Sequence, residues 1–406
     1  MHVCIHRDLL GSSRHFIADK SRDYYSWSSL IPSNAWVFGG PDNTLRCAGS
    51  VLKAIDVEVD DSPGEKYVNA WNRIGKTCKG DVDWEKALPP DVFKTFVSKL
   101  LDQLWCVFES VDDTYYGKEF LIGRNLILGL KKASIDIDIF NYLSKESNKL
   151  SNIRSLGSFS PDKDGWSQKP VYSMTSSITG RLTITSGPNI LTMRKDLRRI
   201  IKSRYKNGKI FQIDFTSLEP RILLLMQGIS APRDIYTHIS KEVLGGNATR
   251  EVSKLATLGA IFGISAARLQ ESTGLSDTDS LEILKEVRRY FKTAPLGKSL
   301  KNEIMEMGYI ENIYGRRVVP SSRQSHVLIN NKVQSSGVDV SLLGFSDLLK
   351  SFDREGVTSI PLFLIHDSII IDVPADHVKK AIAVVSEGVY NKKFKTKFPL
   401  TVEEII

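Results

Sequence analysis

The sequence predicts a mixed α/β chain of the α+β kind, built from more than one packed unit. Three observations point there. The chain has 406 residues and is 41% hydrophobic, enough for two or three packed units. Two apolar runs with the period of a β-strand lead to an aspartate, one at Asp214 and one at Asp367. Before and between them lie stretches whose apolar residues recur at helical spacing.

Residues 1–89 form an N-terminal region of unassigned role. Its short apolar runs Ala35–Gly39 and Ser50–Val57 read as strands between turn signals. From about Pro90 to Leu150 the pattern is helical, as in VFKTFVSKLLDQLWCVF. Residues 157–170 are rich in Gly, Ser, Asp, Lys and Pro and read as a loop. Between Arg194 and Lys209 eight cations stand against one acid, Asp196, which favours a phosphate-backbone contact over a merely solvated face.

The segment Lys209-Ile-Phe-Gln-Ile-Asp214 alternates as a strand. It runs into Leu218–Met226, a helix with Pro220 in its first turn. Arg250, Lys254, Leu258 and Phe262 recur every four residues, one stripe on a helix that offers two cations and then two apolar groups. Pro361–Pro374 holds two apolar runs around His366-Asp367-Ser368, a hairpin whose turn presents Asp367. If both strands share a sheet, the two aspartates converge. The two could be an acid/base couple, a site for two divalent metals, or two unrelated loop aspartates.

Composition narrows the setting. Lys plus Arg number 55 against 47 Asp plus Glu, giving +8 and a pI near 9.1, which suits a polyanion but also an ordinary basic protein. The cysteines Cys4, Cys47, Cys78 and Cys106 form no C-x-x-C pair, so zinc and dithiol redox motifs are not indicated. No secretory signal and no membrane-length apolar stretch is visible, so a cytoplasmic protein is expected, without a membrane partner.

The order of the parts then carries a resemblance. An aspartate at a strand end, R-x-x-x-K-x-x-L-G-x-x-F-G over Arg250–Gly263, and a His-Asp hairpin resemble the A, B and C motifs of family A DNA polymerases. Asp214-Phe-Thr-Ser-Leu-Glu219-Pro-Arg221 resembles the family's D-Y-S-Q-I-E-L-R, and Thr179-Gly-Arg181-Leu its T-G-R-L. Tyr314-Gly-Arg-Arg317 is similar to the turn after the fingers, and Asn330 with Gln334 to its N-x-x-x-Q segment. The matches span about 170–375, roughly half the chain. The short gap from Gly315 to Gln334, with His326 inside it, is closer to the small phage replicases than to the bacterial enzyme.

The resemblance implies a right-hand fold with an antiparallel palm sheet and helical fingers. Residues 90–165 would be a helical thumb, 166–219 and 311–406 the two parts of the palm, and 220–310 the fingers. It implies a DNA-directed DNA polymerase with primer–template DNA and dNTPs as partners. It names no processivity factor. Asp214 and Asp367 would be catalytic and would hold Mg²⁺, with the carbonyl of Phe215 as a further ligand. Arg250, Lys254, Leu258, Phe262 and Glu219 would bind the nucleotide, Glu219 by excluding a ribose 2′-hydroxyl. Arg181, Asn330, Gln334 and His366 would contact the duplex.

There are departures from the family pattern. Leu258 stands where Phe or Tyr is usual, Phe262 lacks a tyrosine hydroxyl, and Pro220 is atypical. Ser368 replaces a Glu, as in single-subunit RNA polymerases. That enzyme class is one alternative, and a catalytically inactive primer–template binding protein is another. No 3′–5′ exonuclease domain is evident. Asp56-Val-Glu58 imitates its first acidic motif but reads as surface acids.

Overall fold

The computed structural model describes residues 1–21, 24–41, 46–55, 57–74, 82–114, 116–146 and 149–405. Cys78 and Asp56 therefore lie outside the described residues. Contacts divide the chain into two compact units, Met1–Leu128 and Gly129–Ile406.

The first unit is a four-stranded sheet with helices. Strands β1 (His2–Ile5), β2 (His15–Asp19), β3 (Tyr24–Ser28) and β4 (Trp36–Phe38) lie in the order β3-β2-β1-β4. The pair β1–β4 is parallel, while β1–β2 and β2–β3 are antiparallel. Ala35–Gly39 thus contains a strand as expected. Ser50–Val57 does not: helix α1 spans Ala48–Ala54. Its β-branched residues favour a strand locally, but Val51, Leu52 and Ala54 are buried as one helical face, and burial decides. The long helix α2 (Pro90–Thr114) packs on the sheet, with Phe108 stacked on Trp36 at 4.4 Å. Both rings are fully buried.

The second unit is built around an antiparallel sheet. Its strands are β5 (Lys209–Phe215), β6 (Ile360–Ile365), β7 (Ser368–Val373) and β8 (Leu400–Glu404), in the order β6-β7-β5-β8. Between β5 and β6 the chain is mainly helical: α3 (Leu218–Met226), α4 (Arg250–Phe262), α5 (Asp277–Tyr290), α6 (Thr293–Met307) and α7 (Ser325–Arg354). One apolar cluster joins α3 to α7, including Leu223, Ala260, Val287, Leu300 and Val333. A second lies against the sheet, where Ile210 and Ile370 meet Met193, Leu197 and Ile200. That covering segment, Lys195–Ile200, is a 3₁₀ turn.

The basic run 194–209 is partly engaged within the chain. Arg194 pairs with Asp196, Lys195 with Glu403, Arg204 with buried Asp372 and Lys209 with Glu404. Half of its cations are engaged within the chain by carboxylates, three of which lie more than 160 residues away. No helix among the described residues is long and apolar enough to cross a membrane.

Candidate active site

Strand β5 is the centre of the site. Its alternation sends Phe211, Ile213 and Phe215 to one face, all at most 5% exposed. Phe215 lies 5.1 Å from Phe345 of α7 and meets Phe398 edge-on. A Cβ on Gly344 would stand 2.6 Å from the Phe215 ring, so only glycine admits this approach. With that face anchored, Gln212 and Asp214 must point to the other. Asp214 pairs across the sheet with Ser368 on β7 and with Thr401 on β8.

Asp367 occupies the two-residue turn between β6 and β7, as Ile365 pairs directly with Ser368. The first turn residue, His366, has φ 51°, the left-handed conformation that suits a tight hairpin. Phe215 donates its N–H to the Asp367 carbonyl at 3.1 Å, which stitches the turn to the end of β5. The hairpin and the strand therefore place both aspartates at one sheet end. Burial raises the Asp367 carboxyl pKa, and the charge of Asp214 adds to it against Arg181. Burial also raises Asp214, against hydrogen bonds from Gln212 and Ser368. Neither aspartate forms a salt bridge among the described residues, and no group of three or more His, Cys, Asp or Glu that could hold a metal assembles there.

Glu219 stands in the first turn of α3, after Ser217 at φ 51°. Arg181 donates to it at 3.2 Å. Burial raises the Glu219 carboxyl, Arg181 opposes, and the charge of Asp367 adds. Arg181 follows Gly180, which has φ 77° and where a Cβ would collide with the Arg316 guanidinium. Arg181, Glu219, Gln334, His366 and Asp367 line one cleft of about 180 Å³. His366 is exposed, and partial burial with Arg181 and Arg198 nearby pushes its pKa down. Asn330, one turn before Gln334 on α7, keeps a buried Oδ1 without a hydrogen-bond partner among the described residues.

The four-residue stripe is on a helix, as its spacing requires. Thr249 caps α4 by accepting from Val252 N–H at 3.2 Å, and Gly263 ends it at φ 81°. Arg250 and Lys254 are exposed, while Leu258 and Phe262 are half-buried. Phe262 also packs against the helical core. Arg250 is bound to Asp234 at 2.9 Å and lies 5.5 Å from the Tyr236 ring centre. Burial would raise Asp234, but hydrogen bonds from Arg250 and Thr237 prevail and hold it at about 2. The cleft is lined by none of the four stripe residues.

Sequence reasoning missed Asp234, Tyr236, Gln212 and Arg198. Tyr236 is the link between the stripe and the aspartates. Burial raises its hydroxyl pKa, Ser217 opposes, and the charges of Glu219, Arg250 and Asp367 all reach it. Nothing in its local spacing signals this, because its partners are brought together only by the fold. Glu58 is exposed, as its reading as a surface acid requires.

The family model for DNA polymerase family A matches residues 125–405. DNA polymerase I of Deinococcus radiodurans is 27% identical over 264 residues, 57% of this chain and 27% of the relative. The thermostable DNA polymerase I of Thermus filiformis is 26% identical over 265 residues, 57% of this chain and 31% of the relative. The matched region is thus under a third of each relative's length. In structure, the POL domain of Pol1 from M. smegmatis, solved with DNA primer-template and dNTP, superposes with a TM-score of 0.61. That match has 12% identity and covers 99% of this chain and 94% of the other, a likeness of fold.

Proposed function

The chain belongs to DNA polymerase family A, and on that premise we propose that it is a template-directed DNA polymerase adding deoxynucleotides to a primer 3′ end. One observation carries the reading: Asp214 and Asp367 meet at joined strand ends, buried enough that both carboxyls are raised. Two such carboxylates, neither in a salt bridge among the described residues, are a donor set for a hard divalent ion. Asp214, Asp367 and the Phe215 carbonyl would hold Mg²⁺, with substrate phosphates and water completing its coordination. When bound, the metal lowers the pKa of the primer hydroxyl and offsets charge on the phosphates.

The chain's own groups supply the rest. Arg250 and Lys254 would grip the triphosphate, Arg250 by sharing its Asp234 contact. Glu219, held by Arg181, would stand against the sugar and leave no room for a 2′-hydroxyl. Leu258 and Phe262 would face the sugar and the nascent pair. Arg181, Asn330, Gln334 and His366 would donate to the minor-groove acceptors that all correct base pairs share. The lowered pKa of His366 keeps its imidazole neutral near pH 7, suited to a hydrogen bond rather than to phosphate pairing.

Primed-template extension with Mg²⁺ tests this. Extension with dNTPs that disappears in Asp214→Asn and Asp367→Asn is the expected result. Preferential use of rNTPs without a primer would instead support the RNA polymerase reading, to which Ser368 points. Duplex binding with no extension would support an inactive binder.

A further inference from the structure

Gln212 is an amide buried to 9% exposure on a strand whose other residues are mostly apolar. A buried amide is costly unless bonded. Its Nε2 donates to both carboxylate oxygens of Asp214, at 3.0 and 3.1 Å. Its Oε1 accepts from Arg198 Nη1 at 2.6 Å. Arg198 is itself pinned from the covering 3₁₀ turn, with Nη2 donating to the Met193 carbonyl at 3.3 Å.

We propose that Arg198 and Gln212 form a positioning relay that fixes the Asp214 carboxylate for its metal. This rests on Asp214 being a metal-holding carboxylate. An aspartate at a strand end can rotate about χ2, because that torsion is broad. A donor nearly equidistant from both oxygens sets the plane of the carboxylate and leaves the outward lone pairs open. The guanidinium polarises the amide and strengthens its N–H as a donor. A cation placed directly on Asp214 would compete with a divalent ion, whereas the amide orients it without net charge. Ser368 stands across the sheet from Asp214, and its hydroxyl donates to the Ile365 carbonyl at 2.9 Å. The carboxylate is therefore steadied by a neutral group.

Gln212→Met keeps the volume and removes the donor, and Arg198→Gln leaves the amide in place but unpinned. Mn²⁺ binding to the chain on primer–template, followed by electron paramagnetic resonance, and the Mg²⁺ dependence of extension are the readouts. In Gln212→Met the Mn²⁺ Kd and the half-saturating Mg²⁺ should both rise about tenfold. The kcat should fall similarly, while the dNTP KM and Tm stay near the parent's. Arg198→Gln should show a smaller shift of the same kind. Parent-like metal binding in Gln212→Met, or a lower Tm with unchanged metal response, overturns the relay. Should Gln212→Met not fold, parent-like binding in Arg198→Gln overturns it. Asp214→Asn separates the two levels. If it keeps metal binding and extension, the reading of Asp214 itself fails. If it loses both while Gln212→Met does not, only the relay falls.

Discussion

Asp214 and Asp367 are carboxylates that the fold makes reluctant to ionise. Burial is the main cause for both, and the charge of Asp214 adds at Asp367. A carboxyl raised in the fold costs stability once ionised, and the cost disappears as pH falls through its raised pKa. Metal-free Asp367→Asn should therefore melt at a higher temperature than the parent at pH 7, and the difference should shrink toward pH 4. Scanning calorimetry over pH checks the sign. Its extension rate should fall by on the order of 10³-fold or more. Asp234 behaves oppositely, because its carboxyl is held at about 2, below the ordinary 3.8. It contributes stability above about 3.8 that is lost as pH falls through about 2. Both partners are about half exposed, so screening reduces the contribution. Asp234→Ala should cost about 1 kcal/mol in urea unfolding at pH 7 and almost nothing at pH 2.

Elements were legible where their signals are local. The period of two in Lys209–Asp214, the Leu218–Met226 helix, the Arg250–Phe262 stripe and the hairpin around Asp367 all stand as the sequence implies. Signals that depend on distant partners were not legible. Ser50–Val57 carries β-branched residues yet folds as a helix because of what its face packs against. The basic run 194–209 meets carboxylates far along the chain, Asp372, Glu403 and Glu404, so charge counting overstated its free surface. The slot between β5 and α7 is also non-local. Gly344→Ala should drive a methyl into Phe215 and cost about 1–3 kcal/mol, measured by denaturant unfolding. Because Phe215 follows Asp214, kcat should fall as well. Unchanged kcat with lost stability would detach the slot from the chemistry.

For the whole molecule, the contact division places all the expected site residues in Gly129–Ile406. That unit has its own apolar clusters, one among the helices and one against the sheet. The fragment 129–406 should therefore unfold cooperatively on its own, with near-UV circular dichroism of packed aromatics. A non-cooperative melt would show that it depends on Met1–Leu128. The division falls within the 90–165 helical segment, a boundary that helical periodicity alone does not mark.

The strand that bears Asp214 is completed late. Thr401, whose hydroxyl lies against the Asp214 carbonyl, follows it by 187 residues. At roughly 5–20 residues per second of synthesis, about 10–40 s separate the two strands on the ribosome. Until Ser368–Val373 is made Lys209–Phe215 is an apolar strand with both edges open, and its β8 edge stays open longest. Time, as much as geometry, is then a condition of this site: the nascent chain must shelter the strand that carries Asp214 until the partners arrive.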